Sequence, residues 1–362
     1  LVIWIGFSED NSAPIPNHKS PITKKRTTMK IQPLGKSNLH VTPLGLGLAA
    51  LGRPGYINLG HATDLGHNYA VAEMEAHAHN VLDAAWAAGI RYFDAARSYG
   101  RAEAFLSSWL AKRQIAPADV VIGSKWGYTY TADWQVQLDE GEKHEVKDHS
   151  LPVLQRQMGE SRAILGDQLD LYQIHSATLE SGVLEDNTVL AELGRLRDDG
   201  LAIGFSVSGP NQAETILRGL EVVVAGRPLF VAVQVTWNLL ERSTNDALRQ
   251  VHAAGVGVIV KEALANGRLT SRNQAPSFQA QALVLKQIAE AQGVSVDALA
   301  MAAVMQQPWA SVVLSGAASV DQIRSNVQAQ QLVWHADLWD QLAFLVEPAE
   351  TYWQIRSQLS WN

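Results

Sequence analysis

Asp94, Tyr99, Lys125 and His175 carry side chains that can hold or move a proton, and each stands at or just beyond the end of an apolar run. Asp94 closes Tyr92-Phe93-Asp94 and Tyr99 follows five residues later; Lys125 follows a run over 120–124, and His175 a run over 169–174. A carboxylate, a phenol, an ammonium and an imidazole at one end of successive strands make an acid/base set rather than a metal site. The chemistry that suits such a set is carbonyl reduction. A phenol titrates at about 10 in water, too high for easy proton exchange near neutrality, but a close ammonium favours the phenolate and draws that value down. Lys125 is the candidate to do this for Tyr99. Asp94 would hold the lysine, because an unpaired buried ammonium is costly, and His175 would orient a carbonyl oxygen or relay its proton.

These groups converge only if their strands run parallel and end on one face. From Met29 onward, short β-branched runs alternate with helical patterns about three turns long, as in successive βα units. Eight strands are read, over 44–49, 92–94, 120–124, 169–174, 202–207, 229–235, 256–260 and 311–314. Apolar spacing at i, i+3, i+4 marks helices over 78–88, 102–112, 153–165, 189–198, 212–220, 245–253 and 320–329. Eight such units close into an α/β fold of the (β/α)8, or TIM-barrel, type, whose sites lie at the C-terminal strand ends. Runs that are apolar throughout, such as 256–260 and 229–233, fit strands buried on both faces. A doubly wound open sheet fits less well, because Gly45-Leu46-Gly47 with Gly52 runs into Arg53-Pro54-Gly55, where no helix starts. Ahead of the first strand, 31–34 and 40–43 flank Gly35-Lys36-Ser37-Asn38, an N-terminal β-hairpin expected to close the barrel floor. The connections 52–75 and 126–150 are long and follow strands, which makes them candidate substrate loops, although the mixed-charge run 142–148 reads as a solvated segment.

The residues around these groups resemble the aldo-keto reductase family over 31–326. The resemblance is carried by Pro43-Leu44-Gly45-Leu46-Gly47, by Gly89-Ile90-Arg91-Tyr92-Phe93-Asp94-Ala95-Ala96 leading to Tyr99-Gly100, by Ser124-Lys125-Trp126-Gly127 and by Leu169-Asp170-Leu171-Tyr172-Gln173-Ile174-His175. It implies a (β/α)8 barrel using NAD(P)H, in which Tyr99 is the general acid/base, Lys125 and Asp94 tune it, and His175 positions the substrate carbonyl. It also implies cofactor contacts. Ser206 and Gln234 match carboxamide-binding positions, Val207 replaces the usual asparagine with Ser208 beside it as a substitute, and Trp237 stands where a ring stacks on nicotinamide. The stretch from Lys261 to Leu269 resembles the pyrophosphate loop, with Glu262 and Ala263 in place of Ser-Pro, and makes Lys261, Leu264, Asn266 and Gly267 the expected contacts. At the adenosine end the expected contacts are Gly316, Ser319, Gln322 and Asn326. The resemblance favours NADP(H), while the absence of a cation at Gly316, Ala318 or Gln322, where NADP-preferring relatives carry one, leaves NAD(H) open. The same residues would also serve an NAD-dependent sugar or alcohol dehydrogenase, or a cofactor-binding redox sensor or auxiliary subunit.

Composition sets the outer bounds. The chain has 362 residues, 47% hydrophobic and 18% charged, enough to bury a large core without staples. It has no cysteine, which removes disulfides, thiolate-bound metals and thiol nucleophiles. A net charge of -7 and the lack of any long Lys/Arg cluster offer no footprint for nucleic acid or an anionic membrane. The longest unbroken apolar stretch, 298–305, falls far short of the ~20 residues of a spanning helix. The expected partner is therefore a small-molecule carbonyl substrate. No metal is expected: His77-Ala78-His79 splits its imidazoles across a helix, and these histidines, with His61 and His67, read as surface polar residues. Gly204-Phe205-Ser206-Val207-Ser208 misses the hydrolase nucleophile elbow at its last glycine. Residues 1–28 read as a disordered N-terminal extension and 29–362 as one barrel domain, in a cytoplasmic enzyme.

Overall fold

The computed structural model describes residues 29–362, and the extension expected over 1–28 lies outside them. Eight strands pair in parallel into a closed barrel: β1 (Leu44–Gly47), β2 (Tyr92–Asp94), β3 (Val121–Trp126), β4 (Leu169–Ala177), β5 (Ala202–Val207), β6 (Ala232–Thr236), β7 (Gly257–Lys261) and β8 (Val312–Ser315). Each strand pairs with its neighbours in sequence, and β8 returns to β1 through Val313 opposite Leu44. Parallel strands covered on both faces must be apolar on both, and all six residues of β3 and five of β6 are buried. The strand expected from 229 begins only at Ala232, because Arg227–Pro228 first pairs with Val223–Val224 in a small hairpin.

The helices that return the chain are α1 (Val71–Ala87), α2 (Ala102–Arg113), α3 (Leu151–Leu165), α4 (Asn187–Asp198), α5 (Gln212–Leu220), α6 (Asn245–Ala254), α7 (Gln279–Ala291), α8 (Val296–Met305), α9 (Val320–Val327) and α10 (Ala349–Ser357). Side-chain caps set several starts: Asp186 accepts the Thr188 and Val189 N–H groups at α4, and Ser319 accepts the Gln322 N–H at α9. The pair α7 and α8 after β7 escapes a periodicity reading. In α8 every residue from 298 to 304 is buried, so there is no polar face to reveal the helical period. Among the described residues no single helix is long and apolar enough to cross a membrane.

Gln32–Pro33 pairs antiparallel with His40–Val41, and Leu34 and Val41 are buried in one cluster with Tyr92, Leu171, Ala232, Ile259 and Val312. The turn is tight against the start of β7: Gly35 has φ +59, and a Cβ there would lie 2.4 Å from the Gly257 nitrogen. At the other strand ends, the first long connection carries a helical turn, His61–Asp64, and the second carries a hairpin, Tyr128–Tyr130 with Glu145–Lys147. The run expected to be a solvated loop is thus partly a strand. Its alternation leaves Val146 exposed while Glu145 and Lys147 are half-buried. The chain end also reaches this side, where Asn362 and Tyr56 exchange backbone hydrogen bonds of 3.1 and 3.2 Å.

Candidate functional site

The ends of β2, β3 and β4 bring three of the four proton-handling residues together, and a turn after β2, closed by Tyr99 N–H to the Ala96 carbonyl at 3.0 Å, delivers the fourth. Lys125 is fully buried; its Nζ donates to Asp94 Oδ2 and to the Ala95 carbonyl at 2.9 Å. The other oxygen, Asp94 Oδ1, accepts from Gln234 Nε2 at 2.9 Å, Tyr92 OH at 3.2 Å and Gln173 Nε2 at 3.3 Å. A buried ion pair survives when its remaining lone pairs are satisfied in this way. Lys125 Nζ lies 5.0 Å from the centre of the Tyr99 ring, and the His175 ring stands edge-on to Tyr99 at 5.5 Å. Asp94, Tyr99 and His175 line a cavity of about 800 Å³, with Lys125 behind them.

The electrostatics correct one expectation. Burial raises the Tyr99 phenol above its ordinary range, the Asp94 carboxylate adds to the rise, and Arg53 opposes it. The ammonium of Lys125 is matched by Asp94 in direct contact, so its pull on the phenol does not outweigh burial. For His175 burial, followed by the charges of Lys125, Lys261 and Arg53, pushes the imidazole well below its ordinary range, so the ring is neutral at pH 7. Its Nδ1 lies 3.5 Å from Ser98 Oγ.

Most of the expected cofactor contacts face the same cavity. Ser208, Gln234, Lys261, Leu264, Asn266, Gly267, Gly316, Ser319, Gln322 and Asn326 all line it. Burial lowers Lys261 to about 8, against the opposing pull of Glu262, and its Nζ donates to Thr236 Oγ1 at 2.6 Å. Asn266 has a left-handed backbone (φ 56), and its Oδ1 is buried without a partner. A lysine lining the cavity and an orphaned acceptor suited to a hydroxyl group fit a phosphate-bearing nicotinamide dinucleotide. At the far end, Gln322 accepts the Ala318 N–H at 2.7 Å and donates to Asp64 at 2.9 Å, while Arg272 also binds Asp64. Asn326 bridges Ser315 Oγ at 2.8 Å and Asp297 at 3.0 Å.

Two expected contacts do not reach the cavity. Ser206 is fully buried, and its Oγ accepts the Ser176 N–H at 2.8 Å. Trp237 is 1% exposed, its indole N–H donates to Asn245 Oδ1 at 2.7 Å, and its ring packs 5.4 Å from Trp309. Side chains alternate along and just past β6, which sends Gln234 into the barrel and the Trp237 ring into the helix layer. Two of the four histidines also differ from expectation, His67 being exposed and His77 half-buried. His61 is fully buried beside the Arg53 and Pro54 backbone, and burial lowers it to about 4; His79 is buried against the Phe105 carbonyl and Ser108 Oγ. No three His, Asp or Glu residues group to hold a metal among the described residues.

Sequence reading missed Arg53, Tyr56, Glu145, Arg356 and Trp361, all of which line the cavity. Arg53 Nη1 donates to the Ser98 carbonyl at 2.8 Å and to Glu145 Oε2 at 2.7 Å, and its guanidinium lies 4.7 Å from the Trp361 ring. The alternating Glu145-Val146-Lys147 was the one local signal available. The others meet the site through folding alone.

The model of the aldo/keto reductase family matches residues 43–347. The chain is similar to pyridoxal 4-dehydrogenase of Microbacterium luteolum, at 27% identity over 81% of this chain and 91% of that protein. It is similar to L-galactose dehydrogenase of Arabidopsis thaliana, at 26% identity over 84% and 88% of the two chains. The uncharacterized oxidoreductase YqkF of Bacillus subtilis matches at 24% identity over 83% and 91%. Among solved structures, aldo-keto reductase AKR11C1 from Bacillus halodurans shares the fold with a TM-score of 0.65 and 22% identity, covering 89% of this chain and 97% of that one.

Proposed function

The chain belongs to the aldo/keto reductase family, oxidoreductases of carbonyl and alcohol substrates that use NAD(P)H, and from that premise we propose that it reduces an aldehyde or ketone to the alcohol with Tyr99 as proton donor. The observation that carries this reading is the convergence of Asp94, Tyr99, Lys125 and His175 at one end of a single cavity. A nicotinamide cofactor bound there would supply the hydride.

The chain's own residues do the rest. Burial keeps the proton on Tyr99 until a carbonyl oxygen beside it gains negative charge, which makes transfer favourable. The ammonium of Lys125, 5.0 Å from the phenol ring, then stabilises the phenolate left behind, and Asp94 keeps that ammonium in place. His175, neutral, offers a hydrogen bond to the carbonyl without competing for the proton. Ser208, Gln234, Lys261, Leu264, Asn266 and Gly267 would hold the nicotinamide and phosphate portions, and Gly316, Ser319, Gln322 and Asn326 the adenosine portion. NADP(H) is the proposed cofactor on family grounds, with Arg272 as the cation lining the adenosine end. Asp64 already neutralises that cation, which supports NAD(H) and a dehydrogenase direction as the second reading, in keeping with the names of two relatives. In the same reading the 32–41 hairpin closes the barrel floor, residues 29–362 act as one domain, and the enzyme works in the cytoplasm.

The deciding experiment is a panel of aldehydes, ketones, aldoses and polyols assayed with NADPH, NADH, NADP+ and NAD+, beside fluorescence titration of each cofactor. Turnover of carbonyls with a reduced cofactor supports the proposal. Tight cofactor binding without turnover in either direction would replace it with the auxiliary-subunit reading.

A further inference from the structure

We infer that His149 and Ser206 clamp a single peptide unit, the one joining His175 to Ser176, and so aim the His175 imidazole, given that His175 meets the substrate carbonyl as proposed. β4 pairs with β5 up to Ile174 opposite Phe205, and pairing resumes at Ala177 opposite Val207. Two residues of β4 therefore stand against one of β5, a bulge of the kind that re-aims a side chain. Ser176 adopts φ 52, a left-handed conformation that costs on the order of 1 kcal/mol for a residue with a Cβ and persists only when its surroundings hold it.

The bulge takes the 175–176 peptide out of the strand ladder and leaves a carbonyl and an N–H to be satisfied. Both are met by side chains. His149 Nε2 donates to the His175 carbonyl at 2.9 Å, and Ser206 Oγ accepts the Ser176 N–H at 2.8 Å. Because a carbonyl only accepts, His149 carries its proton on Nε2, and its bare Nδ1 is buried without a partner. Neither side chain is among those lining the cavity; His149 acts through His175 and is a positioning residue, and Ser206, at a position that resembles a carboxamide-binding one, holds the other end of the same peptide.

The approach of His149 is built in. Its ring stands edge-on to Trp126 at 5.6 Å and to Tyr128 at 6.5 Å, and Tyr128 in turn packs on His175 at 4.9 Å. Asp148 N–H donates to the Gly127 carbonyl at 2.9 Å, tying the connection down beside it. Gly127 has φ +103, and a Cβ there would stand 2.2 Å from His149 Cδ2, so the glycine supplies the room the ring occupies. The second long connection thus reaches under the cavity wall as well as lining it.

The test uses the full chain labelled with 15N-histidine, the His175 ring signal being the one lost in His175→Gln. His149→Phe keeps a ring and removes the donor, His149→Gln returns an N–H, and Ser206→Ala removes the acceptor. The His175 ring resonance is expected to move in His149→Phe and Ser206→Ala and to return towards its wild-type position in His149→Gln. With 4-nitrobenzaldehyde as substrate, kcat is expected to fall about 10- to 100-fold in His149→Phe and Ser206→Ala; in His149→Phe KM for the aldehyde and cofactor Kd change less than about threefold, and His149→Gln recovers most of the loss. An unmoved ring resonance in both variants overturns the clamp whatever turnover does. So do equal losses of kcat, cofactor affinity and melting temperature in His149→Phe and His149→Gln, which denote general packing. If the wild type reduces no aldehyde, the reductase reading fails, and the ring resonances alone still decide the clamp.

Discussion

Arg356 on α10 grips the carboxylate of Glu262 in the loop after β7, with Nε 2.8 and 3.0 Å from its two oxygens and Nη2 also bound. Glu262 stands in the stretch that resembles a pyrophosphate loop, where a negative charge would repel a phosphate. Burial by itself would raise this carboxyl, yet Arg356 and then Lys261 hold it down at about 2. The repulsion is therefore cancelled inside the protein, by a residue near the chain end.

Arg356→Met leaves a carboxylate that is only 7% exposed without its main partner, and about 3 kcal/mol of stability is expected to go with it. Adding Glu262→Gln restores part of that loss. The pH dependence has a definite sign. A depressed carboxyl contributes stability fully above its unfolded value of about 4.3, and that share is lost as pH falls towards about 2. Thermal melts at pH 5 and pH 3 should therefore show a larger drop in wild type than in Glu262→Gln. An Arg356→Met protein that melts with wild type at pH 7 would contradict the assignment.

Tyr99→Phe keeps the ring that packs against His175 and removes only the hydroxyl. Turnover is expected to fall by at least about 100-fold, the span typical of a lost general acid, while the cofactor binds as before. Steady-state kinetics with a parallel cofactor titration measure both. Near-normal turnover would assign the proton to another group.

Lys125→Met removes the cation from a carboxylate that is 2% exposed, and Asp94 then keeps only its uncharged donors Tyr92, Gln173 and Gln234. A loss of about 3–5 kcal/mol is expected, with a smaller loss in the double variant Asp94→Asn/Lys125→Met. Urea unfolding of the two single variants and the double gives the coupling directly. Additive losses would show that the pair does not interact as the geometry indicates.

Burial holds His61 at about 4, against the opposing backbone of Arg53 and Pro54 and the Asp64 carboxylate. As pH falls through about 6.5 the unfolded chain takes up this proton first, so stability is complete above that value and declines down to about 4, by about 3 kcal/mol in all. His61→Leu is expected to shrink the stability difference between pH 7 and pH 4.5. Chemical denaturation at the two pH values checks it, and an unchanged difference would mean that His61 is protonated as readily in the folded state.

Asp94, Tyr99, Lys125 and His175 are legible in the sequence because each is tied to a strand end at a short, fixed offset, and parallel strands in a barrel bring those ends to one face. Gln234 is legible for the same reason. Trp237, three residues further on, is not, since its direction depends on how the chain leaves β6 and on the Trp309 and Asn245 side chains that receive it. Helix α8 offers no period to read because all its faces are covered. Arg53 meets Glu145 across 92 positions and Arg356 meets Glu262 across 94, and no local pattern records either meeting.

The order of βα units, and with it the set of residues presented at one face of the barrel, is determined by the sequence alone, because hydrophobic period and strand-end position are local properties. Which charges cancel is decided only by the tertiary structure. Lys125 is matched by Asp94, Glu262 by Arg356, Tyr99 is raised rather than lowered, and the His175 peptide is held from two other elements. Each of these depends on burial and on distances of a few ångströms between segments far apart in the chain, and those quantities exist only once the chain has folded.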